Sequence, residues 1–410
     1  MPALDLLAIA ARFPALARRT PEGLPIVYAD APGGTQCPQD VIDAMASYLR
    51  HSNANVGGAF VTSEETGAVV VEARRAMADF LACDPAEVVF GPNMTTLAFQ
   101  LSRALARELS PRDTVAVTRL DHDANVAPWA TAAEDRGAEV VHVDLDPKDC
   151  SLDLGSLDRA LEREPKLVAF TLASNAVGSI TPAHEVARRA RDAGAVVIAD
   201  AVHFAPHHLI DVDELGVDVL FCSPYKFFGP HAGVMWARRD LLERWTPYKV
   251  RPAADVVPGR WEGGTKNHEA LAGVTAAVDY LASLGQGETR RRRLEDAFRE
   301  IAVHEEHLSE RFLGGIESLR HVHLYGATTA SATERTPTFA LRVEGRTPRE
   351  VTALLGRAGV FAWDGNYYAL SLMESLGLEE SGGAVRIGFC HYHSAEQVDR
   401  VLHLLADLEE

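Results

Sequence analysis

Cysteine is scarce in this chain of 410 residues, and the few cysteines present follow no pattern. There are five, scattered along the sequence, and no Cys-x-x-Cys pair occurs. Disulfide scaffolds and structural zinc sites both require cysteines at short, regular spacings. The sequence therefore predicts neither a disulfide framework nor a metal site, and it favours a reducing cytoplasm as the location.

Basic residues and long apolar runs are also lacking. The chain has 40 Lys and Arg against 58 Asp and Glu, for a net charge of −18, whereas proteins that bind nucleic-acid backbones concentrate basic residues on one surface. The one basic run, Arg290–Arg293, is interpreted as a solvated helix face or a dimer contact. No stretch reaches the ~18 consecutive apolar residues of a membrane-spanning helix. We therefore expect a soluble enzyme for small molecules, with neither nucleic acid nor membrane as a partner.

Short apolar runs alternate with helical stretches rich in Ala and Arg. Runs such as 167–172 (LVAFTL) are apolar throughout, which is typical of strands covered on both faces. Strands separated by helices indicate crossover units and a mainly parallel sheet. The strands predicted in this way are 87–90, 114–119, 139–143, 167–172, 195–200, 218–222 and 233–237, with helices at about 95–108, 126–136, 154–162 and 183–193.

The pattern changes after Gly263–Gly264. A long helical region over about 268–312 is followed by strands at 338–343 and 384–389, a helix at 348–358 and a last helix. We therefore predict an α/β fold with a large α/β domain over residues 25–265. Residues 1–24 and 266–410 are predicted to form a smaller α+β domain.

Polar residues follow two neighbouring apolar runs at the point where a ligand is expected. In an open α/β sheet, ligands bind at the carboxyl ends of the strands. Asp200 ends one run, and Lys226 follows the next in the segment SPYKFFGP. A buried lysine of this kind can form a Schiff base, and the aspartate can pair with the pyridine nitrogen of pyridoxal 5′-phosphate (PLP). The phosphate would bind the helix start at Asn93–Thr96.

Five motifs, in order along the chain, carry a resemblance to a known family. They are LDHDANVAPW (120–129), SNAVGSI (174–180), ADAVHFAPH (199–207), SPYKFFGP (223–230) and EGGTKN (262–267). With these motifs the chain resembles the class V aminotransferase group of PLP enzymes, and within it the cysteine desulfurase-like proteins, over nearly its full length. The resemblance implies a PLP-dependent transferase of fold type I and a homodimer whose subunits share their active sites.

The resemblance also implies roles around the cofactor ring. Lys226 would carry the cofactor, and Asp200 would pair with the ring nitrogen. His122 would stack on the ring and help to move protons. His203 would lie near the phenolic oxygen, and Asn175 near that oxygen and the substrate carboxylate.

The remaining roles concern the phosphate and the substrate. The Met94 amide, Thr95 and Ser223 would hold the phosphate, and Thr265 would reach it across the dimer interface. Arg386 would bind the substrate carboxylate, because a guanidinium group can clamp a carboxylate with two parallel hydrogen bonds.

Three departures from the family pattern limit what the resemblance implies. Tyr225 replaces a histidine that usually contacts the phosphate, and His203 replaces a glutamine. Desulfurases also carry a mobile cysteine that takes up sulfur as a persulfide. The corresponding segment, 361–370 (FAWDGNYYAL), has Tyr367 or Tyr368 at that place and no cysteine. A tyrosine cannot accept sulfane sulfur, so a persulfide relay is not expected.

PLP chemistry leaves other reactions open to such an enzyme. After Lys226 takes the α-proton of an amino acid, loss of a group from Cβ leads to pyruvate, whereas reprotonation leads to epimerisation or transamination. We favour C–S bond cleavage by β-elimination of cysteine or a cysteine conjugate. An amino-acid epimerase or an aminotransferase of the class V group is the alternative enzyme, and a non-catalytic sulfur-handling or regulatory partner is the alternative outside enzymes.

Overall fold

A computed structural model describes residues 4–409 of the chain. Its β-strands are β1 (Val88–Gly91), β2 (Thr114–Thr118), β3 (Glu139–Val143), β4 (Leu145–Asp146), β5 (Ser151–Leu152), β6 (Leu167–Thr171), β7 (Val196–Asp200), β8 (Val219–Cys222), β9 (Gly233–Ala237), β10 (Val322–Tyr325), β11 (Thr338–Val343), β12 (Trp363–Gly365) and β13 (Ala384–Gly388). Its α-helices are α1 (Leu6–Ala11), α2 (Gln39–His51), α3 (Val61–Leu81), α4 (Met94–Leu105), α5 (Ala127–Glu134), α6 (Leu154–Leu161), α7 (Ala183–Asp192), α8 (Val212–Leu215), α9 (Arg239–Arg244), α10 (His268–Ala282), α11 (Arg290–Ile316), α12 (Pro348–Arg357), α13 (Leu370–Ser375) and α14 (Ala395–Ala406). Most elements predicted from the sequence begin and end within two residues of the expected positions.

A seven-stranded sheet with the order β1-β9-β8-β7-β6-β2-β3 forms the centre of the larger part of the molecule. Strands β2, β3, β6, β7 and β8 run parallel, whereas β9 is antiparallel to both of its neighbours, β1 and β8. Val168 and Phe170 of β6 face one apolar core, whereas Leu167 and Ala169 face the other. Burial on both faces explains why the strand is apolar throughout, and the predicted α/β fold with a mainly parallel sheet is confirmed.

A second, four-stranded sheet has the order β10-β11-β13-β12 and is antiparallel. Its apolar face packs with residues of α11, α12 and α14 in a separate core. This sheet carries Arg386 on β13, the strand that was expected to supply the clamp for the substrate carboxylate. The assignment of residues 25–265 to one domain, and of 1–24 with 266–410 to another, stays a prediction.

The helices α2 and α3 were not predicted from the sequence, and α10 and α11 were predicted as one helical region. The chain leaves the helix at Ala282 and re-enters one at Arg290. Gly285 lies so close to α11 that a Cβ there would come within 2.2 Å of the Arg293 carbonyl oxygen, and Gly287 has a φ of +152°. Close packing and an unusual backbone conformation therefore break the helix where the apolar periodicity alone does not.

The first two residues of the basic run 290–293 form hydrogen bonds with other elements of the same chain. The interpretation of the run as a solvated face or dimer contact is therefore wrong for these two residues. Arg290 donates hydrogen bonds to the carboxylates of Glu72, Asp79 and Asp279. Arg291 donates to the backbone carbonyls of Asp79, Phe80 and Ile210. These contacts fasten α11 to α3 and α10. Between residues 4 and 409, no helix combines the length and apolar character needed to cross a membrane.

Candidate active site

A cavity opens where β6, β7 and β8 end and α4 begins. The fold brings the ends of these strands together at one edge of the sheet, as expected for this architecture. Eight residues singled out in the sequence line this inner cavity: Met94, Thr95, His122, Asn175, Asp200, His203, Ser223 and Lys226. Thr265 and Arg386 lie outside it.

Lys226 and Asp200 are both buried in this cavity. Burial, helped by the positive charge of Arg386, lowers the pKa of Lys226 to about 7. Burial raises the pKa of Asp200 to about 6, although the Val202 amide donates to its Oδ1 over 2.8 Å and Lys226 acts in the same opposing direction. The lysine is therefore substantially a neutral amine near pH 7, and the aspartate is mostly an anion. This pair provides a nucleophile or base and a fixed negative charge.

His122 lies at the same end of the sheet with its ring held in place. Its Nδ1 accepts a hydrogen bond from the Ala124 amide over 3.0 Å. Burial, with the positive charges of Lys226 and Arg386, lowers the pKa of His122 to about 4. The ring is thus neutral at pH 7 and carries its proton on Nε2. The ring of Tyr368 stacks on it, with centroids 5.3 Å apart and an interplanar angle of 24°.

His203 is held by residues from a distant strand. Its Nε2 lies 3.1 Å from the Thr336 hydroxyl and 3.0 Å from the Thr338 hydroxyl. Burial lowers the pKa of His203 well below its usual value. Its Nδ1 is buried and has no hydrogen-bond partner. A neutral imidazole with one satisfied and one unsatisfied nitrogen suits a contact with a ligand oxygen.

Arg386 lines an adjoining outer cavity of about 680 Å³, which shares His122, Asn175, Tyr225 and Lys226 with the inner one. Burial lowers the pKa of Arg386 to about 10, so the group stays cationic at pH 7. One of its NH groups donates to the Asn175 carbonyl oxygen over 2.9 Å, whereas its Nε has no partner. Arg386 therefore keeps donor capacity for a carboxylate at the junction of the two cavities.

The start of α4 offers free backbone donors. Asn93 caps the helix by accepting a hydrogen bond from the Thr96 amide over 2.8 Å, which leaves the amides of Met94 and Thr95 without partners inside the helix. Gly233 makes this arrangement possible, because a Cβ there would lie 2.4 to 2.8 Å from the backbone of Asn93. This helix terminus fits a phosphate group.

Replacing Gly233 by alanine is expected to displace the Asn93 turn and weaken PLP binding about tenfold, since the new methyl group overlaps backbone atoms. The dissociation constant of PLP, measured by titrating the apoprotein, checks this outcome. Gly67→Ala is the matched control, because no atom lies within 4 Å of the added Cβ in α3. Unchanged PLP affinity in Gly233→Ala would show that the turn does not hold the cofactor.

Thr265 is separate from the other site residues of its own chain. It lines a third cavity, of about 350 Å³, together with Gly263 and Gly264. The preceding Glu262 is buried and fixes the loop, since it accepts two hydrogen bonds from Arg74 and pairs with Lys266 over 2.8 Å. The role expected for Thr265, contact with the phosphate of a second subunit, stays a prediction.

Several residues that complete the site were not predicted from the sequence. The Pro32 carbonyl oxygen accepts a hydrogen bond from Lys226 Nζ. Asp30 is half-buried near Arg386, and desolvation raises its pKa. Asp30 ends the apolar run 26–29, which is the same signal that identified Asp200. No sequence pattern marked Thr336 and Thr338 as site residues, because they contact His203 from the side of the second sheet.

The residues present fit PLP. The inner cavity combines a buried lysine, a buried carboxylate, a helix N-terminus and an unpartnered histidine nitrogen. These groups match the aldehyde, ring nitrogen, phosphate and phenolic oxygen of that cofactor.

The family model described as aminotransferase class-V matches residues 27–401. The chain belongs to this family and is a PLP-dependent enzyme. A probable cysteine desulfurase of Xylella fastidiosa is 30% identical over 418 residues, covering 98% of this chain and 95% of that protein. A cysteine desulfurase of Pectobacterium carotovorum is 29% identical, covering 96% and 95%. The apo structure of a cysteine desulfurase from Thermococcus onnurineus NA1 superposes with a TM-score of 0.88 at 25% identity, covering 100% of this chain and 98% of that one.

Proposed function

We propose that this enzyme cleaves the C–S bond of cysteine or a cysteine conjugate by β-elimination. The observation that carries the proposal is the segment 361–370, where Tyr367 or Tyr368 stands at the place of the expected cysteine. Among the described residues that line the inner and outer cavities, none is a cysteine. Desulfuration to alanine requires a thiol that accepts the sulfur, whereas elimination requires none. The arrangement therefore supports elimination.

None of the five cysteines lines the inner or the outer cavity, and burial raises the pKa of the Cys37 and Cys83 thiols. Cys222 and Cys390 are buried, in agreement with their interpretation as core residues, and burial raises the pKa of both thiols. Cys150 is also buried, and burial raises its pKa to about 12. A thiol with a raised pKa is a poor nucleophile, because the thiolate is the reactive form.

The roles proposed for the site residues follow from their positions. When bound, PLP supplies a ring that withdraws electrons from the substrate Cα. Arg386 binds the α-carboxylate, and the neutral Lys226 amine takes the α-proton. Asp200 holds the proton of the cofactor ring nitrogen, and His203 contacts the phenolic oxygen through Nδ1. His122 donates a hydrogen bond from Nε2 to the departing sulfur.

The phosphate and the subunit arrangement complete the proposal. Met94, Thr95 and Ser223 hold the phosphate within one subunit, with Asn175 near the phenolic oxygen. Thr265 reaches the phosphate of a second copy, and the enzyme is a homodimer with shared sites. Sedimentation equilibrium at micromolar concentration tests the dimer, and a monomer with full activity would contradict the shared site.

Product analysis with L-cysteine tests the function. The expected reaction consumes one water and releases pyruvate, ammonia and sulfide in equal amounts, because the α-proton is lost and the Cβ–S electron pair leaves with sulfur. Mass spectrometry identifies the organic products, and Lys226→Ala is the control for reaction outside the site. Alanine would indicate desulfuration, and D-cysteine or a keto acid that retains its sulfur would indicate epimerisation or transamination. If cysteine and its S-methyl derivative both give one of these products in place of pyruvate, the proposal is contradicted.

A further inference from the structure

Three of the aromatic residues that line the outer cavity, Trp363, Tyr367 and Tyr368, belong to the segment 361–370, and we call these three the aromatic rim. We propose that the enzyme acts on cysteine conjugates with a neutral aromatic substituent on sulfur, and that this substituent binds against Trp363 and Tyr368. This inference rests on the proposed elimination reaction and names the substrate class for the same site.

The position of the amino-acid end of the substrate directs the sulfur substituent towards the rim. Lys226, His122 and Asn175 line both cavities, and Arg386 lies at their junction. When the substrate carboxylate binds Arg386 and Cα lies at Lys226, the sulfur substituent on Cβ extends into the outer cavity. Its volume of about 680 Å³ is far more than a free thiol fills, and it lies in the range of sites for larger organic ligands.

The aromatic rim is built firmly rather than left as a loose surface loop. Tyr367 and Tyr368 have φ angles of +57° and +60°, a conformation that costs free energy for residues other than glycine. The Tyr367 carbonyl oxygen accepts from Asn175 Nδ2 over 2.9 Å, and the Tyr368 carbonyl oxygen accepts from the Asp123 amide over 2.7 Å. Backbone strain that is held by several contacts is typical of ligand sites.

Two rings of the rim remain open to a ligand. The side chain of Tyr368 stacks on His122, yet the residue is 72% exposed. Trp363 is 55% exposed and lies opposite Arg386 in the register of β12 with β13. Flat apolar surfaces beside a carboxylate clamp favour a planar group, since aromatic stacking adds to the free energy of apolar burial.

The charges around the outer cavity favour a neutral substituent over an anionic one. The cations that line it among residues 4–409 are Lys226 and Arg386, and both are engaged at the amino-acid end. Asp364 and Glu379 also line this cavity. Asp364 already pairs with Arg349 over 3.2 Å, whereas Glu379 accepts only from Asn366 over 2.9 Å and leaves Oε2 without a partner. An anionic substituent would therefore meet an uncompensated carboxylate.

The test compares S-methyl-, S-benzyl- and S-(4-carboxybenzyl)-L-cysteine with the PLP-loaded enzyme. Each elimination breaks the Cβ–S bond, consumes one water and releases the thiol, pyruvate and ammonia. We expect kcat/KM for S-benzyl-L-cysteine to be about tenfold higher than that for the S-methyl compound. For the carboxybenzyl compound, kcat/KM should be about tenfold lower than that for the benzyl compound. Trp363→Ala and Tyr368→Ala should each reduce the benzyl preference about tenfold, mainly through KM. Tyr368→Phe should retain it, and Glu379→Gln should relieve the carboxybenzyl penalty.

A second measurement does not depend on turnover. The α-methyl analogue of S-benzyl-L-cysteine lacks the proton that Lys226 removes, so its dissociation constant can be measured by calorimetry. It should bind about tenfold more weakly to Trp363→Ala than to the unaltered enzyme. Val303→Ala is the matched control, because Val303 is 56% exposed on α11 and lines neither cavity. The affinity of the Val303→Ala variant for the α-methyl analogue should equal that of the unaltered enzyme.

The outcomes separate this inference from the proposed function. Pyruvate formed from all cysteine derivatives with equal kcat/KM would overturn the aromatic preference and leave elimination standing. Absence of pyruvate from every derivative would overturn both. If Trp363→Ala and Tyr368→Ala weaken the dimer in sedimentation experiments and leave the benzyl preference intact, the rim is covered by a second copy of the chain, and the inference is wrong.

Discussion

Replacing Lys226 by methionine is expected to lower the rate of pyruvate formation about a thousandfold, within the range that a positioned acid or base contributes. The amine is buried and has a pKa of about 7, so a large part of it is available as a neutral base near neutral pH. Methionine has a similar length and no basic atom. Single-turnover measurements of α-proton exchange into deuterated water locate the loss at the proton-transfer step.

The same variant should stabilise the apoprotein, and the effect should depend on pH. The pKa of Lys226 falls from 10.5 to about 7 on folding. Between these values the unfolded chain holds a proton that the folded chain has lost, so the stability of the unaltered apoprotein rises with pH across this window. The advantage of methionine is therefore largest below pH 7 and disappears towards pH 10.5. Melting temperatures of both apoproteins at several pH values measure it.

Lys249→Met is the control for this prediction. Lys249 is mostly buried, but it bonds to the Ala253 carbonyl oxygen and to Asp255, away from both cavities. Its replacement should leave the rate unchanged and should lower rather than raise the melting temperature, since it removes an ion pair. A Lys226→Met enzyme with more than a tenth of the original rate would show that another group removes the α-proton.

Local sequence patterns predicted the part of the site that follows directly from single strands. Asp200 ends β7 and Lys226 follows β8, and in each case an apolar run marks the strand that positions the residue. Because parallel strands end at one edge, their polar successors meet without further information. The same reasoning placed Met94 and Thr95 at the start of α4.

Contacts between distant elements were not predictable in this way. Thr336 and Thr338 are 133 and 135 residues away from His203 in the sequence, and they reach it through the packing of the second sheet against the first. Pro32 reaches Lys226 across 194 residues by a backbone carbonyl, which carries no side-chain signal at all. Such contacts depend on the tertiary arrangement, and a single sequence shows only the strands and helices that take part.

The segment 361–370 illustrates both situations. Its sequence alone shows that no cysteine is present, and this observation directs the proposed chemistry. Its backbone conformation was not evident, because two consecutive tyrosines with positive φ run against the ordinary preference of non-glycine residues. Hydrogen bonds from Asn175 and Asp123 hold this conformation, and neither bond is visible as a pattern in the sequence. Residues that violate local preferences are expected where function requires them.

Replacing Asp200 by asparagine should lower kcat at least about a hundredfold, which corresponds to ~2.7 kcal/mol of lost transition-state stabilisation. The Val202 amide holds Oδ1 in place, and burial removes the solvent that would otherwise screen the charge. An asparagine side chain preserves the shape and the contact with Val202, yet it cannot balance a positive charge on the cofactor ring nitrogen. The KM should change less than about threefold, since Asp200 lies in the inner cavity and Arg386 binds the carboxylate from the outer one.

Asp218→Asn provides a matched comparison for this variant. Asp218 is also a buried carboxylate that accepts a backbone hydrogen bond, from Val197 over 2.9 Å, but it precedes β8 at the opposite end of the sheet. It pairs with Arg238, so its replacement should lower the melting temperature without a comparable loss of kcat. Asp200→Asn should show the reverse, with the absorption spectrum of the bound cofactor altered as well. If the two variants lose kcat equally and the spectrum is unchanged, Asp200 supports the fold and has no electrostatic role at the cofactor.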